Sequence, residues 1–429
     1  MPEGEGEVKK RRRRRGKGNE GIEIDKTEGL DKGGGWVVFV PGVIPGETIT
    51  GRIYRNHLRY SDADLLSINL PSPDRVTPKC KIEGCGGCQY QHWDIGGQRK
   101  WKMNHVKELM IRIGGMEEGK VEEVVRECIG TEEVYGYRSK LTPHYDRPRK
   151  TEEGTWDVGP IGFQMRNLRR LIDVPQCVIG TPAVNRKLEE VRKDVKEKVV
   201  KGELSKMNKG ATILLREDSN GDVETDHNKY ISENVVSELG GEIKFEFKAG
   251  NFFQNNPFMI GRMVDYVLSK AKGLDGGEWR AEYMIDTYCG SGLFAVSGGG
   301  LFKEVYGIEV NERAIEEAER NAAINEKTNV KFKMGEAENI FNDEEVKGLD
   351  RSKTTVVMDP PRKGSSPSFL RQLLQYRPER IVYMSCGPDT QARDTKVLRE
   401  GGYEVRDIQP MDLFPQTRHI ECCAVFDRV

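Results

Sequence analysis

The sequence predicts an α/β protein: a parallel sheet with flanking helices in the C-terminal part, preceded by two smaller segments of a different kind. Three observations carry this. From residue 249 onward, apolar runs of strand length alternate with helical patterns. The first of those runs opens into a glycine loop. Ahead of them, short alternating strands and then a cysteine cluster replace that rhythm.

The 429 residues suggest two or three domains, and the 36% hydrophobic content fills ordinary cores. No apolar run approaches the length of a membrane span, and no apolar stretch follows the basic start, so neither a span nor a secretory leader is expected. The formal net charge of −1 carries no bulk signal for a nucleic-acid partner. Nine cysteines, odd in number and unevenly spaced, do not form a secreted disulfide framework. They point to an intracellular, reducing compartment, with cytoplasm, nucleus and organelle all compatible. A monomer is expected.

Residues 1–20 hold Lys9-Lys10 and Arg11 to Arg15 among few apolar residues, which reads as a disordered basic tail. Such a tail serves as a solvated terminus, a nuclear address or an arm for RNA. Residues 21–78 read as a small OB-type β-barrel, with strands over Trp36 to Val40, Glu47 to Tyr54 and Asp64 to Leu70. Arg52, Arg55, His57, Arg59 and Tyr60 place basic and aromatic groups together, which suits a phosphate backbone and stacked bases; a solvated edge strand reads the same way.

Residues 79–248 form a small central α/β domain, with a surface helix over Val184 to Val200. Cys80, Cys85 and Cys88 read C-x4-C-x2-C, and Cys177 follows much later. The spacing indicates a metal site and leaves zinc and iron–sulfur both open.

Residues 249–429 form the parallel-sheet domain. Strands are expected over Glu282–Asp286, Val305–Glu309, Val330–Met334, Thr354–Met358 and Arg380–Met384, and a helix over Asn311–Asn325. After the first strand comes Thr287-Tyr288-Cys289-Gly290-Ser291-Gly292, where glycines let backbone approach a ligand. Glu309 ends the next strand, where a carboxylate accepts hydrogen bonds from ribose hydroxyls. Ala295 stands at the third glycine position of the dinucleotide pattern, and no pyrophosphate cradle is evident. An adenosine ligand without phosphates fits, and S-adenosylmethionine is one; a ligand-free βα turn is the plain alternative.

Three later segments lie at strand ends, where open α/β sheets bind ligands. Met358-Asp359-Pro360-Pro361-Arg362 fixes an extended loop from which Asp359 can face a cofactor or base. Met384-Ser385-Cys386-Gly387-Pro388 puts a thiol at a helix N-terminus, which is expected to lower its pKa. Taken alone, such a cysteine is more often a small buried hydrophobe. The third segment, Asp412 to Glu421, sets charges at the mouth of the apolar strand Cys422 to Phe426, where packing gives no reason for them.

Together, Asn251-Phe252-Phe253-Gln254, the Tyr288 to Gly292 loop, Asp359-Pro360-Pro361-Arg362, Ser385-Cys386 and His419-Ile420-Glu421 resemble the RNA uracil-5-methyltransferase family, above all its ribosomal-RNA branch. The resemblance implies a Rossmann-like methyltransferase domain with cofactor contacts from Gln254, Tyr288, Glu309 and Asp359, Cys386 as nucleophile and Glu421 as proton acceptor. It makes residues 21–75 similar to a TRAM domain, on Phe39-Val40-Pro41-Gly42, Pro45-Gly46-Glu47 and Ser72 to Val76. It also implies a [4Fe–4S] centre on Cys80, Cys85, Cys88 and Cys177, although the first two cysteines stand one residue closer than is usual there. Gly387 departs from the Asn usual in the family.

The chemistry fits those residues. C5 of uracil attacks a methyl sulfonium only after a thiolate has added to C6 and made it carbanion-like; a base then removes the C5 proton and the thiolate leaves. Ribosomal RNA is the expected substrate, with transfer RNA the alternative. Cytosine C5 or exocyclic-amine methylation and a non-catalytic RNA-binding protein are the competing readings. The amine reaction needs no Cys386, and a binding protein needs neither Cys386 nor Glu421.

Overall fold

In the computed structural model, residues 36–166, 168–204 and 209–429 are described. The basic tail expected over residues 1–20 lies outside them. The chain divides into two compact units, one ending at Arg75 and one running from Val76 to Val429. The segments expected as central and methyltransferase domains, 79–248 and 249–429, both fall within the second unit.

In the first unit, strands Thr48–Asn56 and Tyr60–Leu70 pair antiparallel with three register shifts, and Val37–Phe39 adds parallel to Tyr60–Leu70. The second long strand starts four residues earlier than its apolar pattern indicated, because His57 N–H donates to Tyr60 O at 2.8 Å and closes a tight turn. Among the described residues these three strands form one sheet in which Val37–Phe39 pairs with one neighbour only, and part of the OB-type barrel expected over residues 21–78 lies outside those residues. Glu47 ties the base of the sheet. Its buried carboxylate accepts from Arg75 Nη2 at 2.6 Å and from Ile44 N at 3.0 Å.

The second unit is built on a seven-stranded sheet: β1 (Tyr283–Thr287), β2 (Glu304–Glu309), β3 (Val330–Met334), β4 (Thr354–Met358), β5 (Arg380–Ser385), β6 (Tyr403–Met411) and β7 (Glu421–Arg428). Its order is β3-β2-β1-β4-β5-β7-β6. Every residue of β4 and β5 is buried, as strands covered on both faces require. Each fully buried aliphatic side chain there stabilises by about 1.5–3 kcal/mol relative to exposure. The order reverses between β1 and β4, which opens a crevice at their C-terminal ends.

The sheet is parallel through β5 but not beyond. β7 inserts antiparallel between β5 and β6. Only residues 412–420 separate β6 from β7, too few for the helical crossover that a parallel return needs. The start of β7 therefore lies at the same sheet edge as the ends of β1, β4 and β5.

Helices cover both faces: α1 (Ile95–Arg112), α2 (Pro257–Lys272), α3 (Leu293–Gly298), α4 (Glu312–Ile324), α5 (Pro367–Tyr376) and α6 (Pro388–Glu400). Asn311 caps α4 through Arg313 N–H at 3.1 Å, and Ser366 caps α5 through Phe369 N–H at 3.0 Å, each worth about 1 kcal/mol. Helix Pro182–Val200 covers the small sheets of residues 140–224 through Val184, Leu188, Val195 and Val199.

Candidate active site

The cofactor half begins where β1 ends. Tyr288, Gly290 and Gly292 take positive φ values of 67°, 55° and 91°, which turns the chain sharply into α3. A Cβ at Gly292 would stand 2.9 Å from Val296 Cγ2, so both conformation and space require glycine there. Asp286 Oδ2 accepts from Ala295 N–H at 2.9 Å, locking α3 to β1. Its Oδ1 is buried without a hydrogen-bond partner. Burial, then Asp359 and Glu309 nearby, hold this carboxyl well above the usual carboxylate range. Sequence reasoning placed Asp286 at a strand end without giving it a role; its buried, unpartnered oxygen is what sets it apart.

Glu309 sits at the end of β2, where Oε1 accepts from Asn311 N–H at 2.9 Å and Oε2 from Gly290 N–H at 3.2 Å. Each oxygen keeps a further lone pair for a ligand hydroxyl. Asp359 follows β4; its N–H donates to Thr287 O at 3.4 Å, and burial pushes its carboxyl up to about 6. The Tyr288 ring meets Phe369 edge-on, with centroids 5.5 Å apart. Tyr288, Glu309 and Asp359 thus share one sheet edge. Gln254 comes from a separate loop, tied to α4 by Asn251 Nδ2 donating to Glu317 Oε1 at 2.7 Å. Asn256 Nδ2, donating to Leu413 O at 2.9 Å, ties it to the segment before β7. The fully buried Arg216, which sequence reasoning missed, donates to Gln254 O at 3.2 Å and Asn255 Oδ1 at 2.7 Å, setting that loop's backbone.

The reactive half lies at β5 and β7. Ser385 pairs with Cys422, so Cys386 and Glu421 are the next residues outward on neighbouring strands. Glu421 is buried, and burial, then the nearby Asp359, raise its carboxyl to about 8, while Arg362 and Lys102 pull the other way. The Cys386 thiol is raised to about 11, chiefly by burial and then by Glu421 and Asp359, against a hydrogen bond from Arg362. This corrects the lowered value expected from the helix N-terminus: desolvation and two carboxyls outweigh the helix dipole. A Cβ at Gly387 would stand 3.0 Å from Arg362 O, so this chain's glycine lets the Arg362 backbone pack against residue 387. His419 is lowered to about 4 by burial and then Arg362, so it is neutral at pH 7. Asp412, expected at the strand mouth, is fully buried and paired with Lys102 and Arg99.

Cys80, Cys85, Cys88 and Cys177 line one cavity of about 690 Å³, together with Gly84, Thr417 and His419. The sequence-distant Cys177 does join the other three. Among the described residues, no group of three or more His, Cys, Asp or Glu side chains converges as ligands of a single metal ion. The cysteine segment is bonded to the stretch before β7: Tyr90 N–H donates to Gln416 O at 3.0 Å, and Arg418 N–H to Gln89 Oε1 at 3.1 Å.

The profile of the family described as tRNA (Uracil-5-)-methyltransferase matches residues 178–429. A tRNA (uracil(54)-C(5))-methyltransferase of Schizosaccharomyces pombe is 35% identical over 407 residues, covering 92% of this chain and 74% of that protein. An uncharacterized RNA methyltransferase of Halalkalibacterium halodurans is 31% identical over 449 residues, covering 93% and 94%. Among solved structures, the Pyrococcus abyssi tRNA (uracil-54, C5)-methyltransferase in complex with S-adenosyl-L-homocysteine shares the fold, with a TM-score of 0.64 at 23% identity over 91% of this chain and 95% of that one.

The strand order is that of the shared fold, and the family match makes the chain an S-adenosylmethionine-dependent methyltransferase. More narrowly, the chain belongs to the tRNA (uracil-5-)-methyltransferase family, enzymes that methylate C5 of uracil in RNA.

Proposed function

We propose that the enzyme methylates a uracil of transfer RNA through a covalent adduct on Cys386, with Glu421 as the general base. The observation that carries this reading is the placement of Cys386 beside a buried Glu421 at one sheet edge. S-adenosylmethionine, when bound, supplies an electrophilic methyl group. The donor set suits it: Glu309 for the ribose hydroxyls, the orphaned Asp286 Oδ1 and Asp359 for polar hydrogens, and Tyr288 and Gln254 at the borders.

Cys386 adds to C6 of the uracil, and the electron pair moves to C5 and O4. Arg362, hydrogen-bonded to the thiol, favours its ionised form. After C5 is methylated, Glu421 takes the C5 proton, the C5–C6 double bond re-forms and Cys386 leaves as thiolate. Burial excludes water that would otherwise protonate the carbanion-like C5.

Transfer RNA is favoured over the ribosomal RNA expected from sequence because the Schizosaccharomyces pombe relative is named for it. Residues 36–75 serve as the TRAM-type RNA-binding module. His57 stacks on Tyr60 with centroids 4.1 Å apart, and Trp36, Phe39 and Tyr54 are exposed on the same unit. Cys80, Cys85, Cys88 and Cys177, which line one cavity, hold a [4Fe–4S] cluster, with zinc as the alternative. Its role is to brace the segment before Glu421, since methyl transfer needs no electron.

The test is mapping of 5-methyluridine by mass spectrometry in RNA from cells lacking the enzyme. Loss from transfer RNA alone is expected. Loss from ribosomal RNA alone overturns the substrate, and no loss overturns the activity.

A further inference from the structure

Lys102 and Asp412 are both fully buried, with Nζ 2.6 Å from Oδ1. Lys102 Nζ also donates to Phe414 O at 3.3 Å, and Arg99 Nε lies 3.4 Å from Asp412 Oδ2. Asp412 directly follows Met411, the cross-strand partner of Glu421 in β6. Lys102 projects from the face of α1 that also buries Gln98, Val106 and Met110. Gln98 exchanges two hydrogen bonds with Gln416, each 3.0 Å. A buried ion pair is seldom more stable than an apolar pair of the same volume, so stability alone does not account for this one.

Its position does. The groups facing the Glu421 carboxyl are Asp359 and Arg362 from the loop after β4, Lys102 from α1, and the thiols of Cys386 and Cys422. Asp412 and Arg99 stand behind Lys102, with Cys128 beside them. Lys102 therefore holds the segment that ends in Glu421 and presents it with one of two positive charges.

We propose that Lys102 is a positioning residue for Glu421: clamped by Asp412 and bonded to Phe414 O, its ammonium fixes the segment 412–421 that carries the carboxylate accepting the C5 proton. This rests on the reading of Glu421 as the base. Asp412 offsets part of the ammonium's field, so removing its charge is expected to strengthen the pull of Lys102 on Glu421.

The experiment follows tritium release from RNA labelled at uracil C5, in single turnovers across roughly pH 6–10, for wild type, Lys102→Met, Asp412→Asn and the double variant. Losing the ammonium moves the Glu421-dependent midpoint up by about one unit; losing the counter-charge moves it down. Circular dichroism checks the fold of each variant. Should Lys102→Met not fold, the inference stands if Asp412→Asn shifts down and the double variant lies above it. Midpoints that stay put, or move together while amplitude falls, overturn it and leave a structural ion pair. Glu421→Gln separates the two levels: release at the wild-type rate sinks the base assignment itself, while a stalled variant leaves only Lys102 in question.

Discussion

Glu421 and Cys386 are neighbours across an antiparallel strand pair, set by the register that matches Cys422 with Ser385. The proposed proton acceptor therefore opens β7, and the proposed nucleophile stands one residue past the end of β5. A nucleophile that adds to C6 and a base that acts at the adjacent C5 must both reach one pyrimidine ring, and neighbouring strands about 4.8 Å apart meet that need.

Cys386→Ala is expected to lower methylation at least about a thousandfold and to abolish the covalent trap with RNA containing 5-fluorouracil. Binding of S-adenosyl-L-homocysteine should persist, because none of the carboxylates around the glycine loop changes. Gel shift under denaturing conditions and calorimetry read the two effects. A trapped complex in the variant rules out this nucleophile.

Turnover should rise with pH. The Glu421 carboxyl, lifted from 4.5 to about 8, holds a proton below that value and cannot accept another. Its base form grows as pH passes about 8, and the Cys386 thiol, raised to about 11, adds a second rise. Stability runs the other way. Glu421 binds its proton more tightly in the native state than unfolded, so its contribution is full below 4.5 and is lost as pH rises toward 8. Glu421→Gln keeps a neutral group at all pH, and should flatten that loss in thermal melts while stalling the RNA adduct. A variant that turns over without accumulating adduct removes Glu421 as the base.

Glu309→Ala should weaken S-adenosyl-L-homocysteine binding by about 10- to 100-fold, the value of hydrogen bonds to a charged group. Gly290 N–H and Asn311 N–H also lose their acceptor. Titration calorimetry decides; unchanged affinity would place the ribose elsewhere.

Asn185→Ala should cost about 1–3 kcal/mol and reduce iron content together. Asn185 accepts from Cys177 N–H at 2.8 Å and donates to Cys177 O and Gly180 O, both at 2.9 Å, so it helps shape the turn that carries the Cys177 thiol. Anaerobically purified wild type should be brown with about four irons per chain. Stoichiometric zinc without iron would falsify the cluster.

Much of this site was legible from residue order. Strands in α/β sheets are short apolar runs between glycines and prolines, and four of the five expected ones differ from the observed spans by one residue at an end or not at all. Charges at the mouth of the last strand lack a packing reason, which drew attention to the segment ending in Glu421, while Cys386 stood out through the motifs around it. Lys102 left a fainter trace, as a lysine four residues from Gln98 and from Val106 on the buried face of α1. Asp286 was hidden because an acid ending a strand is common, and only its unpartnered oxygen sets it apart.

The sequence by itself determined the element types of the sheet domain and the likeness to one family, because periodicity and motif spacing are local properties. Tertiary structure alone decided that β7 reverses between β5 and β6, that the Cys386 thiol sits high rather than low, and that Asp412 is spent on Lys102. Each depends on what surrounds a group in three dimensions: desolvation and neighbouring charge come from segments far away in the chain, and residue order does not record them.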